Sequence, residues 1–197
     1  MTKIKIRPAT DSDCDAIWKI FHDVIAVGET YPIDPNISRD DALAYWFQRG
    51  AHVYVAERNI EPVGEAVGFP GTLPASPTAK ARDREIIGSY TLHPNQSGAG
   101  AHVANAGFIV AGNSRGRGTG RAMGEHCLKE ARRLGFCGMQ FNFVVATNEG
   151  AVKLWQDLGM RIVGTLPGAF RHPKRGYVDV YVMYQPLLPA NDANQHE

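Results

Sequence analysis

Residues 3–7 alternate polar and apolar side chains and stop at Pro8, the pattern of a short strand before a turn. Ile17, Ile20, Phe21, Val24 and Ile25 then recur at helical spacing, between a cap at Asp11 or Ser12 and a stop at Gly28. Ser38 and Asp41 form a capping-box-like pair that predicts a second helix through Leu43, Trp46 and Phe47 to Gly50. Residues 28–36 make the loop between these helices. Alternation returns at 52–58 and 85–92, which predicts two more strands. Between them, Pro62, Pro70, Pro74 and Pro77, with Gly64, Gly68 and Gly71, argue against a regular ladder. Residues 60–83 therefore read as an inserted loop with room for a short hairpin, either a lid or a surface excursion.

From residue 100 the signals sharpen. A strand at 101–110 is followed by a glycine-rich turn at 111–120, a helix at 121–135 and a strand at 138–145. A short helix at 148–159 follows, then closing strands at 161–166 and 177–187 joined by a Gly/Pro/basic loop that carries Arg171, Lys174 and Arg175. No repeat appears. With 197 residues, one compact domain over 1–190 is expected, ending in a flexible tail at 191–197.

The charge balance, 21 Lys+Arg against 20 Asp+Glu, gives no global field to hold nucleic acid or an anionic membrane, so any anion site must be local. No apolar run approaches the roughly 20 residues of a membrane span, and the first residues lack the apolar stretch of a signal peptide, which predicts a cytoplasmic protein. Cys14, Cys127 and Cys137 lack paired spacing and are expected to be buried free thiols. His22, His52, His93, His102, His126 and His172 show no local ligand spacing, so no metal is expected.

The local anion site is Arg115-Gly116-Arg117-Gly118-Thr119-Gly120, placed where a strand ends and a helix begins. Backbone N–H groups and the positive helix end converge there, and glycine lets a diphosphate approach them while Arg115 and Arg117 add charge-assisted contacts. The spacing fits neither a dinucleotide fingerprint, since Met123 stands where a third glycine belongs, nor a Walker loop.

Arg115-x-x-Gly118-x-Gly120 resembles the pyrophosphate loop of the GCN5-related N-acetyltransferases (GNAT). Asn148-x-x-Ala151-x-x-Leu154-Trp155-x-x-x-Gly159-Met160 resembles a second block of that family, and the likeness runs from the first strand to about residue 187. Residues 105–110, 141–148, 28–32 and 45–47 resemble the yeast-type acetyltransferases of proline analogues, and 28–32 also resembles phosphinothricin and amino-acid acetyltransferases. The resemblance implies an α/β (α+β) GNAT fold: a mixed, mostly antiparallel sheet flanked by about four helices and splayed in the middle between the strands at 102–110 and 138–145. It implies acetyl-CoA as co-substrate, a small-molecule amine as partner and a possible homodimer. The activity implied is acetyl transfer to a small amino acid or proline-like analogue. The alternatives are a protein or peptide N-acetyltransferase and a non-catalytic CoA-binding regulatory module.

The resemblance places pantetheine beside the strand ending at Val110, with main-chain N–H groups near Ile109 and Val110 polarising the thioester. Asn148 is expected near the departing sulfur, or simply as a helix cap. Trp155 stands where many relatives carry an acidic tyrosine, and a thiol of pKa ~8.5 leaves well enough without one. Glu29 is the carboxylate expected to act as base on the acceptor ammonium. Asn105 and Asn142, polar residues in apolar strands, either satisfy each other or hold substrate. Tyr31 is expected to wall the amine pocket. Arg171, Lys174 and Arg175 read as solvated charges or as a contact to an acidic substrate or CoA.

Overall fold

The computed structural model describes residues 4–59 and 84–187. The expected inserted loop at 60–83 and the tail at 191–197 lie outside these residues. The described strands form one seven-stranded sheet in the order β1-β2-β3-β4-β5-β7-β6. They are β1 (Lys5–Pro8), β2 (His52–Asn59), β3 (Arg84–Pro94), β4 (Val103–Val110), β5 (Gly138–Val145), β6 (Arg161–His172) and β7 (Gly176–Pro186). Helices α1 (Cys14–Ala26), α2 (Arg39–Trp46), α3 (Thr119–Arg133) and α4 (Glu149–Asp157) flank it. Among the described residues every neighbouring pair is antiparallel except β4 with β5.

The first helix is capped one residue earlier than expected. Thr10 N–H and Oγ1 both donate to Asp13 Oδ2, a single turn follows at Asp11–Asp13, and α1 begins at Cys14. At α2 the expected pair holds: Asp41 N–H donates to Ser38 Oγ at 3.1 Å and Ser38 Oγ–H to Asp41 Oδ2 at 2.7 Å. The two faces of the sheet bury separate cores. Ile17, Phe21, Ile25 and Trp46 of α1 and α2 pack on Val53, Val55 and Ile109. Met123, Cys127 and Trp155 of α3 and α4 pack on Tyr90, Leu92, Met139 and Phe141.

Three expectations require correction. The closing strands are longer than periodicity implied. β6 continues through Pro167 and Gly168, with its register shifted between Leu166 and Phe170, because an edge strand tolerates a proline whose missing N–H would face solvent. Arg171 therefore lies in β6, and only residues 173–175 remain as a turn. Finally, Cys127 is buried as expected, but Cys14 and Cys137 are only half-buried.

β4 and β5 pair only at Val103 with Gly138 and Ala104 with Met139, and then diverge. The divergence opens the sheet at its centre. β5 is further bent by a register shift against β7 between Phe141 and Val144, which re-aims the residues between them.

Candidate functional site

The gap between β4 and β5 widens into a cavity of about 780 Å³, large enough for a cofactor-sized ligand. A second void of about 10 Å³ behind Trp155 is walled by apolar side chains and too small for one.

One end of the cavity is the glycine-rich turn after β4. Gly116 and Gly118 sit at φ +71° and +84°, where L-residues are strained, and a Cβ on either would meet nothing within 4 Å. The space in front of both is open to a ligand. Ala122 N–H, bonded to Gly118 O at 2.9 Å, is the first in α3 to find its i−4 carbonyl. The N–H groups of Thr119, Gly120 and Arg121 are the free first-turn donors, at the positive end of the helix. Arg115, Gly116, Gly118 and Gly120 line the cavity as expected, and so does Arg121, whose guanidinium also pairs with Asp157 at 2.8 Å. Two side chains expected here are placed otherwise. Thr119 is buried, donating its hydroxyl to Ser114 O at 3.3 Å, so its backbone alone serves the site. Arg117 is exposed and is not among the cavity-lining residues. The donor set, a helix N-terminus with glycines and arginine, fits a diphosphate.

The middle of the cavity runs along the free edge of β4. Asn95 N–H donates to Val103 O and Ala111 N–H to Ile87 O, so the ladder bonds between β3 and β4 fall on the odd-numbered residues of β4. Even-numbered residues turn their backbone groups toward the gap. Ile109 lines the cavity, but its N–H is spent on β3, and its side chain is buried in the core under α1. Val110 keeps the outward parity. So does Phe108, whose N–H donates to Tyr31 Oη at 2.9 Å while Tyr31 Oη–H donates to Phe108 O at 2.9 Å. Tyr31 thus occupies the backbone pair that an added strand would use, and fastens the loop 28–36 across the cavity. Burial raises its phenol, which stays protonated at neutral pH. Gly107 allows this approach, since a Cβ there would stand 3.3 Å from Tyr31 Oη.

The opposite wall carries Asn148 and Trp155. Asn148 caps α4, its Oδ1 accepting from Ala151 N–H at 3.3 Å, and it lines the cavity at the same time. Trp155 is 8% exposed, with ring centroids 4.7 Å from Phe108 and 4.9 Å from Phe141, so it bridges the diverging strands from behind.

The far end is polar. Asn105 and Asn142 both line it but do not bond each other: Asn142 Nδ2 donates to Asn95 Oδ1 at 2.6 Å, and Asn142 Oδ1 accepts from Gln140 Nε2 at 2.8 Å. Asn142 is satisfied within the protein. Asn105 makes no side-chain hydrogen bond among the described residues and presents its amide to the cavity. Sequence reasoning missed Thr30, Thr91 and His93 here. The alternation of β3, which puts Ser89, Thr91 and His93 on one face, carried a signal for the last two.

Glu29 is not where the expected base should be. Its carboxylate accepts from Lys174 Nζ at 2.9 Å, and it is not among the lining residues although Thr30 and Tyr31 beside it are. The Lys174 ammonium holds the Glu29 carboxyl below its ordinary value, which makes it a weaker base. Glu29→Gln is accordingly expected to leave kcat near wild type in a CoA-release assay, because the carboxylate is engaged by Lys174 and does not line the cavity. A collapse of kcat would return Glu29 to the chemistry.

The Acetyltransferase (GNAT) family matches residues 17–160. The chain is 33% identical over 168 residues to N-acetyltransferase aca1 of Schizosaccharomyces pombe (strain 972 / ATCC 24843), covering 84% of this chain and 76% of that protein. A GCN5-related N-acetyltransferase from Kribbella flavida superposes with a TM-score of 0.79 at 39% identity, covering 93% of this chain and 97% of that one. The yncA structure from Salmonella typhimurium, solved with its cofactor acetyl-CoA, superposes with a TM-score of 0.71 at 22% identity over 95% of both chains.

Proposed function

The chain belongs to the GNAT acetyltransferase family, whose members transfer acetyl from acetyl-CoA, and from that premise we propose that its acceptor is the amine of a free amino acid or proline-like analogue. The observation that carries this reading is the roof over the polar end. Tyr31, bonded to the backbone of Phe108, pins the loop 28–36 against the cavity, so that Thr30, Tyr31 and Pro32 wall it together with Asn105 and narrow the space left for an acceptor. A peptide or lysine side chain on a folded protein would need an open groove there.

In this reading the turn 115–121 holds the diphosphate, and acetyl-CoA supplies the activated acyl group. The pantetheine lies along the even-numbered backbone groups of β4, as a strand adds to a sheet edge. Val110 N–H pairs with the pantetheine, and the thioester carbonyl lies farther along the strand, where the N–H of Ala106 and, if Tyr31 shifts, that of Phe108 polarise it. Asn148 lies beside the sulfur. Trp155 packs the acyl end and gives up no proton, so the thiolate leaves unassisted, as its ordinary pKa of ~8.5 permits. Asn105 holds the acceptor, and Asn142 braces that wall through Asn95.

Thiol release from acetyl-CoA across free amino acids, imino acids, polyamines and lysine peptides tests the acceptor class. Turnover confined to free amino or imino acids is expected. Turnover confined to peptides would replace this reading with a protein N-acetyltransferase, and tight acetyl-CoA binding without turnover on any amine would favour a regulatory module.

A further inference from the structure

An amine at the polar end arrives as an ammonium and must lose a proton before it can attack. Among the described residues, none that lines the cavity is an Asp or Glu. Among the described residues, the titratable or charged groups that line it are Tyr31, Tyr45, His93, Arg115 and Arg121. The arginines cannot act as bases and sit at the diphosphate end. Burial raises both phenols, so neither supplies a phenolate near neutral pH.

His93 differs from all of these. It stands on β3 directly opposite Asn105 of β4, at the end of the cavity farthest from the diphosphate turn. Its Nδ1 lies 2.8 Å from Pro94 O. A carbonyl oxygen can only accept, so Nδ1 carries the hydrogen and the neutral ring keeps its lone pair on Nε2. Two residues earlier on the same face, Thr91 Oγ1 is buried without a hydrogen-bond partner, as is Thr30 Oγ1 in the loop above. Both residues line the cavity at this end.

We propose that His93 is the general base of the reaction, with the Pro94 carbonyl fixing its tautomer and Asn105 holding the amine beside Nε2. The ammonium gives one proton to Nε2, and the freed nitrogen lone pair forms a bond to the thioester carbonyl carbon. The C–S bond breaks with its electron pair passing to sulfur. The second proton, lost from the acylated nitrogen, neutralises the thiolate, and the imidazolium returns the first to solvent. The products are the amide, CoA thiol and one proton.

This inference rests on the amine entering at the polar end, but not on which amine it is, so its test uses any amine that the wild-type protein acetylates. In His93→Gln and His93→Ala, kcat is expected to fall by about 10²-fold with the KM for acetyl-CoA unchanged. Added imidazole is expected to restore His93→Ala, where it can enter the vacated space, and not His93→Gln. Wild-type kcat in His93→Gln would overturn this role alone. So would a loss in His93→Ala that imidazole does not restore and that is accompanied by a raised KM for acetyl-CoA. A wild-type preference for peptide amines would instead overturn the acceptor class proposed above.

Discussion

Gly118→Val is expected to weaken acetyl-CoA binding by about 10²-fold or more, measured by titration calorimetry. Gly118 caps α3 at φ +84°, in the left-handed region where a side chain costs about 1–2 kcal/mol and a β-branched one is least tolerated. Relief of that strain rotates the peptide units leading into α3 and misaligns the N–H groups of 119–121. Hydrogen bonds to a charged partner are worth about 1.5–3 kcal/mol each, and 1.4 kcal/mol is tenfold in affinity, so losing two produces the expected drop. Gly135→Val is the control. Gly135 has the same φ of +84° and open space around it, but it lies past the far end of α3. It is expected to cost stability without affecting affinity. Equal affinity losses in both variants would mean that general destabilisation, not the diphosphate site, is being read.

Arg7→Ala is expected to destabilise the protein by about 3 kcal/mol at neutral pH in urea unfolding. Arg7 joins two buried carboxylates across the start of the fold. Its guanidinium donates to Asp13 at 2.7 and 2.8 Å and to Glu57 at 2.9 Å, with Asp13 4% and Glu57 2% exposed. Removing it leaves Asp13 with the Thr10 contacts alone, while Glu57 keeps Arg84 at 2.6 Å. The Arg7 hydrogen bond, opposed by burial, holds the Asp13 carboxyl at about 2, against an ordinary 3.8. Burial pushes Glu57 upward, but Arg7 and Arg84 outweigh it and hold this carboxyl below its ordinary value too. For groups lowered in the folded state, the stabilisation is full above the unfolded value and is lost as pH falls through the folded one. Asp13 therefore contributes fully above pH 3.8 and loses its contribution as pH falls toward about 2. In Arg7→Ala the buried carboxylates are relieved by protonation, so the gap between wild type and variant should narrow over that range. A gap that widened in acid would contradict this sign.

Much of the site was legible before the structure, because its parts are local. The glycine-rich turn is written in consecutive residues, where glycines and arginines meet the start of a helical pattern. α4 and β5 were equally readable: the expected β5 at 138–145 has the observed bounds, since an alternating run between Gly138 and the Asn148 cap leaves little latitude. What remained hidden depends on pairing between distant segments. Glu29 was expected to face the cavity, but its partner Lys174 lies 145 residues away. Whether Ile109 or its neighbours turn their N–H groups to the gap depends on the ladder parity with β3, and side-chain pattern does not report parity. For Asn142 the sequence leaves open a pairing with Asn105 or a contact to substrate, and the partner it has, Asn95, lies just beyond the end of β3. The position of His93 opposite Asn105 emerges only once β3 and β4 are in register.

The central claim is that the gap between β4 and β5 is the acyl-transfer site, with the diphosphate at one end and the acceptor at the other. A crystal structure of the protein with acetyl-CoA tests it most directly. The predicted result is a diphosphate within hydrogen-bonding distance of the N–H groups of 116–121, pantetheine paired along the even-numbered residues of β4, and the acetyl group directed toward Asn105 and His93. Acetyl-CoA bound outside the gap, or in it with the acetyl group directed away from Asn105 and His93, would contradict it.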